Sequence, residues 1–363
     1  MSDLTIQSHR GPYTVRFGPL FSGLDAVFSP REHLIIDARV AALYADALAP
    51  ALSSPSVLRI EATEANKSLE QFPAYVMHCL DCGIQRDDVL IAVGGGIIQD
   101  IAAFLAATLL RGVRWRFVPT TLLAQTDSCI GSKSSVNIGP YKNQLGTFNP
   151  PEEILISTEA LATLTDTDLR SGLGEMLKVH IIAGWNDVRA IAADYPRILR
   201  DAAVMEHYIR RSLEIKKGKI EIDEFDRRER LVMNYGHSFG HAIESATEYA
   251  IPHGIAVTMG MDMANYVSVA FGLIDRAVYD ELHCLLAINY AGFEHVVISE
   301  GRFFAALAKD KKNIGDDITL ILMRGPGQVY RSRCSNDERL RAVCREALAM
   351  LKMSREATPC HSR

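Results

Sequence analysis

The sequence contains no run of about eighteen uninterrupted apolar residues, which excludes an expected membrane-spanning helix. Its first residues, Met1-Ser2-Asp3-Leu4-Thr5, lack a charged segment followed by an apolar stretch, so no secretory leader is expected and the cytoplasm is the expected compartment. Charge of one sign is missing as well. With 39 Lys and Arg against 44 Asp and Glu the net charge is −5, which offers no footprint for nucleic acid or for an anionic membrane. Seven cysteines, an odd number scattered over 363 residues, make no disulfide framework. Cys79 and Cys82 form a C-x-x-C, but no second pair stands at zinc-ribbon spacing, and Tyr75 to Cys79 reads as helix. Internal repeats and low-complexity linkers are also absent.

What is present exceeds one ordinary core, so two domains are expected, 1–165 and 166–353, followed by a short polar tail, 354–363, expected to be disordered. The first half alternates short β-branched runs with helix-length stretches. Leu34-Ile35-Ile36, Val57 to Ile60, Val89 to Val93, Arg116-Phe117-Val118 and Ile154-Leu155-Ile156 read as strands, with helices over Ser68 to Cys82 and Ile98 to Leu110. That alternation predicts an α/β domain with a parallel sheet covered on both faces, which binds ligands at the carboxyl ends of its strands. From about Asp166 the apolar residues recur at three and four. Helices are predicted over Arg170 to Ile182, Val204 to Lys219, Ser238 to Glu248 and Ile255 to Phe271, giving an all-α second half.

Three stretches carry chemistry. Asp88 to Val93 runs into Gly94-Gly95-Gly96, and a helix opens directly afterwards with Asp100 in its first turn. Strand, glycine turn and helix N-terminus put backbone N–H groups where a pyrophosphate docks, although the stretch is not G-x-G-x-x-G and a turn needing positive φ is the competing reading. Next, Pro119-Thr120-Thr121 follows a strand, and Asp127 to Asn137 with Lys142-Asn143 gathers two lysines, an Asn and an Asp in one glycine-containing stretch suited to an oxygen-rich anion. Finally, His237 and His241 stand at i and i+4, with His253 in Ile251-Pro252-His253-Gly254 and Glu175 upstream. By spacing alone the helical pair is either a ligand set or a polar face. Imidazoles with one carboxylate leave a divalent cation open to polarise a substrate oxygen.

Together these stretches resemble the 3-dehydroquinate synthases and their relatives, the sugar phosphate cyclases. GGG-x3-D, RG, PTT, D-x5-K, KN, E-x2-K and N-x-GH-x3-H occur in that family's order between about Asp37 and Lys312. The resemblance implies a Rossmann-like NAD domain, a helical metal domain, a site in the cleft between them and a homodimer. By this resemblance Glu175, His237 and His253 are the ligands of a zinc or cobalt ion, and His241 faces substrate. It assigns NAD contacts to Asp37, Glu64, Lys67, Gly95, Gly96, Asp100, Thr120, Thr121, Asp127, Lys142 and Thr163. Substrate contacts fall on Lys133, Asn143, Lys178, Lys216, Arg230, Asn234 and His241, with Lys311 or Lys312; Arg111 resembles an arginine lent to the neighbouring subunit's phosphate site.

The implied reaction oxidises a secondary alcohol with NAD, eliminates phosphate, returns the hydride and closes a carbocycle by an aldol step. Arg230 and Asn234 match the 3-dehydroquinate synthase pattern, which points to 3-deoxy-D-arabino-heptulosonate 7-phosphate, a substrate of the shikimate pathway leading to aromatic amino acids. The alternatives are a specialised cyclase acting on sedoheptulose 7-phosphate or glucose 6-phosphate, and a metal-dependent polyol dehydrogenase, which would release NADH. The chain departs from the family's G-G-K-T-G at Gly131-Ser132-Lys133-Ser134-Ser135, from an Asn at Arg39 and from a Gly at Gln99. These positions bear on substrate identity more than on fold.

Overall fold

A computed structural model of the chain describes residues 3–22, 29, 31–309, 313, 315 and 317–353. Lys311, Lys312 and the expected tail 354–363 lie outside the described residues. The chain divides into two compact units, Met1–Thr165 with Met205–Asp226, and Asp166–Val204 with Arg227–Arg363.

The first unit is built on β1 (Leu4–Ile6), β2 (Tyr13–Phe17), β3 (Glu32–Asp37), β4 (Leu58–Ile60), β5 (Val89–Gly94), β6 (Arg114–Pro119) and a strand at Glu153–Ile156. A hairpin, β7 (Val136–Ile138) and β8 (Tyr141–Leu145), precedes that last strand, which is therefore β9. The seven-stranded sheet has the order β1-β2-β9-β6-β5-β3-β4 and is parallel from β2 to β4, with β1 antiparallel at one edge. All five predicted strands are therefore present and parallel. β5 is buried along its whole length, as a central parallel strand must be. Alternate residues Leu34, Ile36, Val89, Ile91 and Val93 pack with Val118, Val40, Ala41 and Leu48 in one core. The helices here are α1 (Ala38–Leu43), α2 (Ala49–Leu52), α3 (Phe72–Asp81) and α4 (Gly96–Thr108). Cys79 is buried in α3, and Cys82 contacts the Pro55 carbonyl at 3.4 Å; both thiols are free.

The second unit carries α5 (Asp166–Ala183), α6 (Trp185–Ile198), α8 (His237–Ala246), α9 (His253–Ala270), α10 (Arg276–Tyr290), α11 (Glu300–Ala308) and α12 (Glu338–Met353), with α7 (Ala202–Ile222) linking back to the first unit. Among the described residues its one sheet is an antiparallel hairpin of β10 (Asp317–Met323) and β11 (Val329–Ser335), which the sequence pattern did not anticipate. A second difference concerns α7. Its span was expected with the helical half, yet from Met205 onward it groups with the sheet unit, where Lys216 pairs with Asp127 and Glu221 accepts from the Gln7 amide.

Helix α9 is the axis of the second unit, and glycine decides how closely its neighbours approach. A Cβ on Gly254 would lie 1.8 Å from the Ser171 carbonyl oxygen, and one on Gly174 would lie 2.1 Å from the Gly254 carbonyl oxygen. Helices α5 and α9 therefore touch backbone to backbone, one residue away from both Glu175 and His253.

Candidate active site

In the first unit the expected cofactor residues follow the carboxyl ends of successive parallel strands. Asp37 closes β3, Glu64 and Lys67 follow β4, Gly95 and Gly96 follow β5, Thr120 and Thr121 follow β6, and Thr163 ends the 3-10 segment after β9. Gly94 pairs with Pro119 in register, so the glycine turn and the two threonines are neighbours. The glycines are not there for positive φ: Gly95 is extended, at φ −85° and ψ −166°. The requirement is close approach, since a Cβ on Gly95 would meet Thr121 Cγ2 at 2.9 Å. No side chain caps the N-terminus of α4, a thirteen-residue helix whose first amides head this turn.

A polar network ties the strand ends to the β7–β8 hairpin. Lys67 Nζ donates to Asp100 Oδ2 at 3.2 Å and to Asn143 Oδ1 at 3.0 Å. Ser135 donates its amide to Asp100 Oδ1 at 2.9 Å, and its hydroxyl stands 2.9 Å from both Asp100 Oδ2 and Asn143 Oδ1. Burial pushes the Asp100 carboxyl up, against Lys67 and the Ser135 hydrogen bonds, which pull it down. Asn137 donates to Glu64 Oε2 at 2.8 Å and accepts from the Asn143 amide at 2.9 Å. Ser135, read from sequence only as a departure from the family stretch, and Asn137 were not assigned a contact there. Their role is visible only once the hairpin folds over α4.

Other expected residues have mainly local contacts. Asp37 Oδ1 accepts from the Arg39 amide and caps α1, Thr121 Oγ1 accepts from the Ala124 amide, Thr163 Oγ1 lies 3.5 Å from the Tyr44 hydroxyl, and Lys142 is exposed. Asp127 sits in a π-helical turn, Ala124–Ser128, and forms an ion pair with buried Lys216 at 2.6 Å. Lys133 pairs with Asp226. Arg111, at φ 65°, lines a different cavity of about 320 Å³ with Arg10, Arg114, Trp115 and Asn149; Lys133 is not among its walls.

The second unit gathers the metal-ligating types. Glu175, His237 and His253 offer atoms all within 4.8 Å of one another, and so do His241, Glu244 and His253. Ring orientation separates the two sets. His237 Nδ1 is 3.2 Å from the Tyr235 carbonyl and His253 Nδ1 is 3.2 Å from Glu244 Oε2; both partners only accept, so both Nδ1 atoms carry the proton. That turns Nε2 of each ring toward Glu175, 3.6 and 3.4 Å from its Oε1. The first set is thus the one oriented for a shared cation, with Glu244 as the group that orients His253. Glu244 was missed from sequence, although it stands at i+7 from His237 and i+3 from His241, on the same face of α8.

Electrostatics point the same way. Burial disfavours the Glu175 carboxylate, but the adjacent Lys178 ammonium and the His253 hydrogen bond outweigh it and hold the group below the usual carboxylate range. Burial also works against a charged His253, yet hydrogen bonds to Glu175 and Glu244 raise it to about 10. A divalent cation would take this place between His253 and Glu175 by displacing that proton. Both Glu175 oxygens are buried, Oε2 against Lys178 and Oε1 against the two imidazoles. His241 is exposed, its ring centroid 5.4 Å from that of His237 and 5.7 Å from that of His253; Arg230 is buried and Asn234 donates to the Leu231 carbonyl at 3.1 Å.

The descriptions of the 3-dehydroquinate synthase N-terminal and C-terminal regions match residues 57–171 and 172–313. The chain is 34% identical over 354 residues to 3-dehydroquinate synthase of Cereibacter sphaeroides strain KD131, covering 93% of this chain and 96% of that one. This chain belongs to the 3-dehydroquinate synthase family. Another family relative, from Xylella fastidiosa strain 9a5c, is 36% identical over 337 residues, covering 87% of this chain and 85% of its own. Among solved structures, 2-epi-5-epi-valiolone synthase from Streptomyces hygroscopicus subsp. jinggangensis 5008, with NAD+ and Zn2+ bound, superposes with a TM-score of 0.79 at 27% identity over 94% of this chain and 97% of that one. A 2-deoxy-scyllo-inosose synthase complexed with carbaglucose-6-phosphate, NAD+ and Co2+ shares the fold, with a TM-score of 0.81 at 22% identity over 95% of this chain and all of that one. No helix among the described residues is long and apolar enough to cross a membrane.

Proposed function

We propose that this chain is a 3-dehydroquinate synthase, a phosphate-eliminating lyase that converts 3-deoxy-D-arabino-heptulosonate 7-phosphate into 3-dehydroquinate and acts in the cytoplasm as a homodimer. The observation that carries the reading is the orientation of His237 and His253, each tethered at Nδ1 and turned at Nε2 toward Glu175, in a chain of this family. Glu175, His237 and His253 would hold zinc or cobalt, since imidazole and carboxylate accept either. When bound, NAD supplies reversible hydride removal and the divalent ion polarises the oxygen of the carbon that is oxidised.

The chain's own residues bind and orient. The amides at the start of α4, after Gly95 and Gly96, would take the NAD pyrophosphate, with Thr120 and Thr121 alongside. Asp37, Glu64, Lys67, Asp100, Asp127, Lys142 and Thr163 would complete the cofactor's surroundings. Lys133, Lys311 or Lys312, and Arg111 of a second copy would hold the substrate phosphate through charge-assisted hydrogen bonds. Lys216 and Arg230 would take the substrate carboxylate, where the planar guanidinium of Arg230 binds in bidentate fashion. Asn143, Lys178, Asn234 and His241 would contact the hydroxyl groups. Lys178 also neutralises Glu175, which keeps the ligand carboxylate ionised.

The test is a phosphate-release screen over 3-deoxy-D-arabino-heptulosonate 7-phosphate, sedoheptulose 7-phosphate and glucose 6-phosphate, with NAD and zinc. Release from the first without net NADH is expected, and Arg230→Ala should impair it far more than any activity on the neutral sugars. Release confined to a sugar without a carboxylate would replace the substrate assignment. NADH accumulating in step with turnover would replace the reaction.

A further inference from the structure

The lysine proposed for the substrate phosphate already holds an anion. Lys133 Nζ forms an ion pair with Asp226 Oδ2, and both residues belong to the sheet unit. We propose that Asp226 is an internal competitor for the anion position at Lys133, so that phosphate binds there by exchange with a carboxylate and not by entry into an open site. This rests on the reading of Lys133 as a phosphate ligand and adds a specificity-determining residue to it.

Three observations support the exchange. The first is backbone conformation. Asp226 has φ 56° and Ser132, the residue before Lys133, has φ 67°; for non-glycine residues such conformations persist only where the surroundings impose them. The second is the docking that imposes them. Glu224 Oε1 accepts from the Ser132 and Ser8 hydroxyls, each at 2.6 Å, and Glu224 Oε2 accepts from the His9 amide at 2.8 Å. Phe225 adds ring contacts to His9 at 5.2 Å and Phe148 at 5.0 Å. Segment 224–226 is thus fastened at Glu224 to Ser132, beside the ion pair, and at Glu224 and Phe225 to Ser8, His9 and Phe148.

The third is the quality of that pair. Asp226 Oδ1 is buried and accepts no hydrogen bond, so the carboxylate is only half satisfied, whereas the Lys133 side chain is 44% exposed. With its lysine open to solvent, the pair is screened on that side and exchangeable. A phosphate dianion brings more charge and three acceptor oxygens, enough to displace the carboxylate where a monoanion does not. The arrangement therefore discriminates against small monoanions. Ser132 is part of it: the hydroxyl at this departure from the family stretch is the group that anchors Glu224.

The experiment titrates inorganic phosphate into the full chain loaded with NAD and zinc, by calorimetry. Asp226→Asn keeps the shape and removes the charge; phosphate should bind about three- to fivefold more tightly, the range an exposed ion pair commands. Asp226→Gly, which suits the left-handed backbone, serves as a second variant and should act in the same direction. Lys133→Ala should weaken phosphate by about tenfold or more. Equal or weaker binding in both Asp226 variants, with Lys133→Ala still losing phosphate, overturns the exchange and leaves the phosphate assignment standing. Phosphate binding unaffected by Lys133→Ala overturns that assignment, and the exchange with it.

Discussion

Glu244 Oε2 holds His253 Nδ1 at 3.2 Å, and the opposite ring nitrogen is thereby presented to Glu175 Oε1 at 3.4 Å. One carboxylate thus orients the ring whose other nitrogen would meet a metal held by Glu175. Removing such an orienting group typically lowers metal affinity by about 10- to 100-fold. Glu244→Ala is therefore expected to weaken zinc by that range in a competitive chelator titration, with the fold retained. Unchanged affinity would remove Glu244 from the site.

A divalent ion held by Glu175 would be an alternative counter-cation to Lys178 for the same buried carboxylate. Breaking a buried pair by removing one partner costs about 3–5 kcal/mol, because an uncompensated charge remains. Lys178→Met should lower the urea-unfolding stability of the metal-free protein by about that much. With zinc present the loss should be much smaller. Equal losses with and without zinc would show that the metal does not share Glu175.

The backbone contact between α5 and α9 admits no side chain at Gly254. Gly254→Ala must push the helices apart, with an overpacking cost of about 1–3 kcal/mol. It should lower both the melting temperature and the zinc content measured by mass spectrometry. Gly218→Ala is the control. A Cβ there meets nothing within 4 Å, and mid-helix alanine should be neutral to stabilising.

His283 of α10 bonds Asp262 Oδ2 at 2.7 Å and stacks on Tyr279, while Tyr290 donates to the same oxygen at 2.7 Å. Burial would lower the imidazole, but the hydrogen bond and charge of Asp262 raise it, with Asp280 adding to this and Arg276 opposing. A folded value above the unfolded one means the stabilisation is complete below about pH 6.5 and is lost as pH rises through the raised value. Urea midpoints should fall as pH rises above about 6.5 in the wild type, and His283→Gln should flatten that slope. A slope identical in the variant would assign the pH dependence elsewhere.

Much of this protein was legible in its residues. The runs around Leu34, Val57, Val89, Arg116 and Ile154 became β3, β4, β5, β6 and β9 because β-branched runs bounded by turns are local signals. The predicted helices became α3, α4, α5, α7, α8 and α9 within a few residues for the same reason. The hairpin β7–β8 was not legible: Tyr141–Leu145 is mostly exposed and has no apolar alternation to read. β10 is a buried apolar run, Asp317–Met323, that periodicity alone does not distinguish from helix.

The sequence by itself determined the alternating sheet unit, the helical unit, the glycine turn and the residue types from which a metal set and an anion set are drawn. Only the tertiary structure decided which nitrogen of His237 and His253 faces Glu175, that α7 joins the sheet unit, and that Asp226 meets Lys133. Local patterns fix elements because their hydrogen bonds and side-chain periods lie within a few residues. Which carboxylate faces a ring nitrogen or a lysine depends on groups brought from distant parts of the chain, as Glu175 is to His253 and Asp226 to Lys133, and no spacing in the sequence records them.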